Sequence, residues 1–155
     1  QESHIKKAIT KIRSEGRLQF IKKGKLREFV SNNNQILIDG AHNPMAASVV
    51  EKYLETVSSG KKIFMLLGMM ANKEHKKFIQ IFKHRVHAII TLDIPNQENF
   101  IEKNKLSKIA ESCGIPSKSE KSIESALKNI AKENNDAIIF CTGSLYFAGE
   151  ILNLN

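Results

Sequence analysis

Four short, largely apolar segments, "QILIDG" (35–40), "KIFMLLGMM" (62–70), "VHAIITLDI" (86–94) and "DAIIFCTG" (136–143), are each followed by a segment with helical spacing. Runs this short and this continuously apolar fit strands buried on both faces. Strands that alternate with helices build a mostly parallel sheet. The spacing predicts a first helix over 44–57 with Ala46, Val49, Val50, Tyr53, Leu54 and Val57 on one face. A second, over 73–85, is amphipathic through Phe78, Ile81 and Phe82, and a third, over 104–114, through Leu106, Ile109, Ala110 and Cys113. A fourth, over 122–134, starts at Ser122 and buries Ile123, Ala126, Leu127 and Ile130, and a closing helix covers 144–152. The expected class is α/β, a doubly wound, Rossmann-like sheet flanked by helices. Ahead of residue 34 the pattern changes. There "RLQFI" and "KLREFV" flank Lys22, Lys23, Gly24 and Lys25, as in a β-hairpin or a pair of edge strands.

A chain of 155 residues is one domain's length, enough to bury roughly 68 to 70% of the surface its unfolded form exposes. Its 41% apolar and 26% charged residues are ordinary for a globular protein and argue against disorder or a fibrous repeat. No apolar run approaches the roughly 18 residues that span a bilayer, and the charged first residues lack the apolar stretch of a secretory signal. The chain begins with Gln1, which suggests a fragment or a processed product. Cys113 and Cys141 fit no metal or redox spacing. They read as small buried hydrophobes in a reducing, cytoplasmic setting. The formal charge of +8 is concentrated early, with nine Lys/Arg against three Asp/Glu in residues 1–30. Such a segment suits phosphate-bearing partners or an acidic protein face, and a solvated run of Lys explains it equally well. With two Tyr and no Trp, no obvious set of base-stacking aromatics is present.

Ligands of open α/β sheets bind beyond the carboxyl ends of the strands, so the turns that matter begin near Asp39, Gly68, Asp93 and Gly143. In "DGAHNP" (39–44) Asn43 suits a helix cap, Pro44 the first helical position and Asp-Gly a tight turn. That structural reading leaves His42 without a role. A helix start presents N–H groups and partial positive charge to anions, so His42 is a candidate donor to a carboxylate. Asp39 is a candidate acceptor from ribose hydroxyls or a partner for a cation. "CTGSLY" (141–146) makes a second such turn, with Ser144 at the helix start. The sequence has no GxxxxGK[ST] loop, GxGxxG, GxSxG, HExxH or CxxC. His4, His75, His84 and His87 occupy polar or irregular positions and read as surface residues.

Taken together, "GRLQ" (16–19), "ILIDGAHNP" (36–44), "LLGMMANKE" (66–74) and "GSLYFAGEIL" (143–152) resemble the C-terminal domain of folylpolyglutamate synthase and dihydrofolate synthase, in the Mur ligase superfamily. The resemblance runs from Gly16 onward. It implies a Mur ligase C-terminal domain over 16–155, with residues 1–15 ending a preceding ATP-binding domain and forming the linker. It also implies ATP-dependent addition of L-glutamate to a folate or to dihydropteroate through an acyl phosphate, with Mg²⁺ neutralising the transferring phosphate. The phosphate loop, Mg²⁺ ligands and folate loops would lie in domains outside this chain, which by itself is then expected to be inactive. Carried over by position, Arg17 and Asp39 would contact ATP, whereas His42, Ser144 and Tyr146 would position the incoming glutamate. The chain departs from the family pattern at Ser14-Glu15, Asn72 and Asn96, and no site is assigned there. Two other readings stay open: a muramyl-peptide ligase domain, and a basic module that binds nucleic acid.

Overall fold

The computed structural model describes residues 17–155. The helix and linker expected in residues 1–15, with Gly16 and His4, lie outside the described residues. The strands are β1 (Gln19–Phe20), β2 (Gln35–Ile38), β3 (Ile63–Leu67), β4 (Ala88–Thr91), β5 (Ser117–Ser119) and β6 (Ile138–Thr142). The helices are α1 (Pro44–Val57), α2 (His75–Ile81), α3 (Lys103–Ser112), α4 (Ile123–Glu133) and α5 (Leu145–Leu154). One six-stranded sheet has the order β1-β2-β6-β3-β4-β5. Every pairing is parallel except β1 with β2, where Gln19 opposes Ile38 and Phe20 opposes Leu37.

The central strands β3 and β6 are buried along their whole length, as their continuous apolar runs require. Alternate residues of the sheet feed two separate cores. Leu37, Met65, Ile89 and Phe140 pack with α1, α2 and α3 on one face. On the other, Ile38, Leu66, Ile90 and Ile139 pack with α4 and α5. The sheet is therefore doubly wound, as expected. Chain order along it reverses at β6, which lies between β2 and β3 while its helix α5 crosses the opposite face from α1.

Two local expectations are corrected. "KLREFV" forms a short 3-10 turn over Lys25–Phe29, with Leu26 buried, rather than a second edge strand. Its Leu26 amide donates to the Asn155 side chain at 3.1 Å, and that side chain donates back to Lys23 O at 3.0 Å. A contact with the last residue thus decides the conformation. On α1, Val50 and Leu54 are buried and Ala46, Tyr53 and Val57 pack against the same core as expected, but Val49 is exposed and Ala47 is buried in addition. Strand β5, built from Ser-Lys-Ser, carries no apolar signal in the sequence and is an addition to the expected elements.

Both cysteines are buried free thiols, and burial pushes the Cys141 thiol up to about 12. No helix among the described residues is long and apolar enough to cross a membrane.

Candidate functional site

The turn after β2 is organised by Asp39. The strand pairing extends one step further as Asp39 N donates to Cys141 O at 3.0 Å. The Asp39 side chain then accepts from Ala41 N at 2.8 Å through Oδ1 and from Leu18 N at 3.0 Å through Oδ2. Leu18 has a φ of 48°, a left-handed conformation that costs a residue with a Cβ roughly 1–2 kcal/mol. The hydrogen bond to a charged acceptor offsets that strain, since such bonds are worth about 1.5–3 kcal/mol. One buried carboxylate thus closes its own turn and fixes the backbone that presents the exposed Arg17.

Burial raises the Asp39 pKa above its ordinary 3.8, against the opposing pull of the Ala41 and Leu18 N–H groups and the charges of Arg17 and His42. A carboxyl group with a raised pKa binds more protons folded than unfolded between 3.8 and its folded value. Stability contributed at Asp39 is therefore greatest below 3.8 and declines as pH rises through the folded pKa. A carboxyl-carbon NMR titration is expected to place the Asp39 midpoint above 3.8. A midpoint at or below that value would mean that the two N–H bonds outweigh burial.

His42 lies one residue before the cap of α1. Its Nδ1 is 3.0 Å from Gly40 O. A carbonyl can only accept, so Nδ1 carries the proton and Nε2 is the nitrogen left for a ligand. Nε2 donates to a carboxylate when the ring is imidazolium. Asn43 caps α1 by accepting from Ala46 N at 2.9 Å, and Pro44 has no N–H to offer. Of the first-turn donors of α1, only the Met45 amide is then left to an anion.

The turn after β6 interlocks with this one. Gly143 N donates to Ala41 O at 3.0 Å, and the buried Thr142 hydroxyl donates to the same oxygen at 3.4 Å. Gly68 N, at the end of β3, donates to Thr142 O at 3.3 Å. Gly143 has a φ of +112°, and a Cβ there would lie 2.5 Å from Gly68 O. Only glycine permits this closure of three turns around the point where the chain order reverses. Ser144 follows as the cap of α5, its Oγ accepting from Tyr146 N at 3.1 Å and Phe147 N at 3.4 Å. The hydroxyl proton of Ser144 is left to donate. Tyr146 is half-buried against the α5 face of the sheet.

The structure brings Arg17, Asp39 and His42 together, because the residue after Arg17 donates its amide to Asp39 and His42 belongs to the same turn as Asp39. It ties Ser144 to them through the shared Ala41 carbonyl. Sequence reasoning misses Ala41, Thr142 and the Leu18 amide, whose contributions are backbone groups or a buried hydroxyl with no motif of their own. It also puts His75 on the surface. His75 is half-buried, its Nε2 donating to Met70 O at 2.8 Å, and so pins the loop after β3. That loop is held on its other side by Ala71 N to Asn99 O at 2.8 Å and Ile101 N to Met69 O at 2.9 Å. The turn beginning at Asp93 starts α3, with Oδ1 accepting from Lys103 N at 2.9 Å. Among the described residues no group of three or more His, Cys, Asp or Glu is gathered to hold a metal ion.

Residues 22–154 match the family model for the C-terminal domain of dihydrofolate synthetase. A dihydrofolate synthase/folylpolyglutamate synthase of Buchnera aphidicola is 27% identical over 99% of this chain and 35% of its own length. The chain thus spans about a third of that relative. Among solved structures, a Mycobacterium tuberculosis folylpolyglutamate synthase complexed with ADP superposes with a TM-score of 0.74 at 18% identity, over 91% of this chain and 32% of that one. An E. coli FolC in complex with DHPP and ADP superposes with a TM-score of 0.70 at 14% identity, over 89% of this chain and 31% of that one. At those identities the superpositions establish the shared fold, and the family model establishes the kinship. The chain belongs to the dihydrofolate synthetase C-terminal domain family.

Proposed function

We propose that this chain is the glutamate-positioning domain of an ATP-dependent amide ligase that adds L-glutamate to dihydropteroate, to folates or to both. The observation that carries the reading is the interlock of the β2 and β6 turns. It sets His42 and the Ser144 hydroxyl on two adjoining helix starts, which suits an amino acid bearing two carboxylates. Family membership and the activities named for the relatives support the same choice.

ATP, when bound with Mg²⁺, supplies the phosphoryl group that activates the acceptor carboxylate. The described residues gather no metal-ligand group, so Mg²⁺ is assigned to other parts of the enzyme. Arg17 fits the nucleotide side as an exposed guanidinium, a fixed charge whose planar fork matches phosphate. Asp39 holds Arg17 in place through the Leu18 amide, and its carboxylate oxygens retain lone pairs for a ribose hydroxyl. His42 Nε2 and the Ser144 hydroxyl are the donors offered to the glutamate carboxylates, with Tyr146 the third candidate contact. The amine is thereby presented to the activated acceptor, which lowers the entropic cost of the encounter. A cytoplasmic location goes with this reading, and both free thiols suit one.

The test is an acceptor screen on the complete enzyme that carries this domain, reading ADP release. Release that requires glutamate together with a dihydropteroate or folate acceptor is the expected result. Release with a muramyl-peptide acceptor instead would overturn the assignment.

A further inference from the structure

At the amino end of β2, on the far side of that strand from His42, a cavity of about 330 Å³ is lined by Lys22, Arg27 and Asn34 over Phe20, Ile21 and Ile36. None of the described residues that line it is acidic. Two other cavities are internally neutralised by comparison. One of about 380 Å³ contains Lys61 and Asp136, already paired at 3.1 Å, and one of about 220 Å³ sets Lys118 with Glu133. Neither Lys22 nor Arg27 has an ion-pair partner among the described residues.

Asn34 is 1% exposed. Its Oδ1 accepts from Ala137 N at 2.9 Å, which fixes the orientation of the amide. Nδ2 is left with no partner among the described residues. An unsatisfied buried donor is expensive, at about 1–3 kcal/mol. Arg27 is held rigid beside it, with Nη1 donating to Asn34 O at 2.7 Å and Nη2 to Ser31 O at 2.9 Å. The cavity therefore combines a preorganised guanidinium, an ammonium and an orphan amide donor with an apolar floor. We propose that it binds a small molecule through an oxyanion, a phosphate or a carboxylate, which accepts from Asn34 Nδ2 between Lys22 and Arg27. The volume falls in the range of small-ligand pockets, and, with Asn32 and Gln35 completing the polar lining, no carboxylate is present to favour a cation over an anion.

The site is independent of the ligase reading, because its test needs neither ATP nor glutamate. The complete enzyme that carries this domain, labelled at its asparagine side-chain amides, is titrated at constant ionic strength with sodium phosphate and, separately, with sodium benzoate, following the Asn34 amide by NMR. Saturable shifts of that amide with at least one anion are expected. Phosphate alone saturating identifies a phosphate-bearing ligand, and benzoate alone a carboxylate with an apolar body. Asn34→Asp keeps an acceptor for Ala137 N and replaces the donor with negative charge, so it should weaken binding at least about tenfold. Exposed Lys22→Ala, which leaves the core untouched, should weaken it about threefold or more. No saturable shift with either anion, or an affinity unchanged from wild type in both variants, would overturn the proposal.

Discussion

Gly143→Ala should destabilise the fold by roughly 3 to 5 kcal/mol. Two costs add. At φ +112° a side chain is strained by about 1–3 kcal/mol. The new methyl would also lie 2.5 Å from Gly68 O and 2.7 Å from Leu67 Cδ1, and overpacking of that kind costs about 1–3 kcal/mol. Neither neighbour can yield cheaply, since one is backbone and the other belongs to the fully buried strand β3. Gly60→Ala is the control: its φ is +77° and a Cβ there would meet nothing within 4 Å, so only the backbone term of about 1–2 kcal/mol applies. Chemical denaturation of the two variants separates crowding from strain. If Gly143→Ala proves no more destabilising than Gly60→Ala, the three turns are not packed as tightly as described. The consequence reaches the site, because the same closure holds Ser144 against the DGAHNP turn.

Much of this architecture is legible from residue types alone, for reasons particular residues make plain. Asn43 and Pro44 mark the start of α1 because cap and first-turn preferences are local, and Ser122 does the same for α4. The uninterrupted runs in β3 and β6 betray strands covered on both faces. Longer-range interactions are invisible. The 3-10 turn at Lys25–Phe29 depends on Asn155, 129 positions from Leu26, and β5 exists by pairing with β4 rather than through its own composition. Val49 reads as inward-facing because it is apolar and three residues after Ala46, whereas the helix packs through Ala47, Val50 and Leu54 and leaves Val49 just off the edge of that face.

The same distinction applies to the site. DGAHNP and GSLY mark two strand-to-helix turns by residue type, and the structure joins them through the Ala41 carbonyl. That Asp39 turns both oxygens on backbone amides and positions Arg17 through Leu18 cannot be read from spacing. Asp39 accordingly organises the turn as well as being a candidate contact. His42 is the side chain whose role the fold leaves least explained by structure: its ring makes one hydrogen bond, to a carbonyl two residues away, and Nε2 is left over.

The second large effect follows from that spare nitrogen. A hydrogen bond from imidazolium to a carboxylate is worth about 1.5–3 kcal/mol, and each 1.4 kcal/mol is about tenfold in affinity. His42→Ala should therefore raise the KM for glutamate by about 10- to 100-fold. The substitution removes no core packing and only one local hydrogen bond, so the fold and the KM for ATP should be kept. Steady-state glutamate and ATP titrations of His42→Ala against wild type, in the complete enzyme, are the decisive measurement. A rise in the glutamate KM alone is the expected result, and an unchanged glutamate KM would contradict the assignment of His42 to the amino-acid substrate.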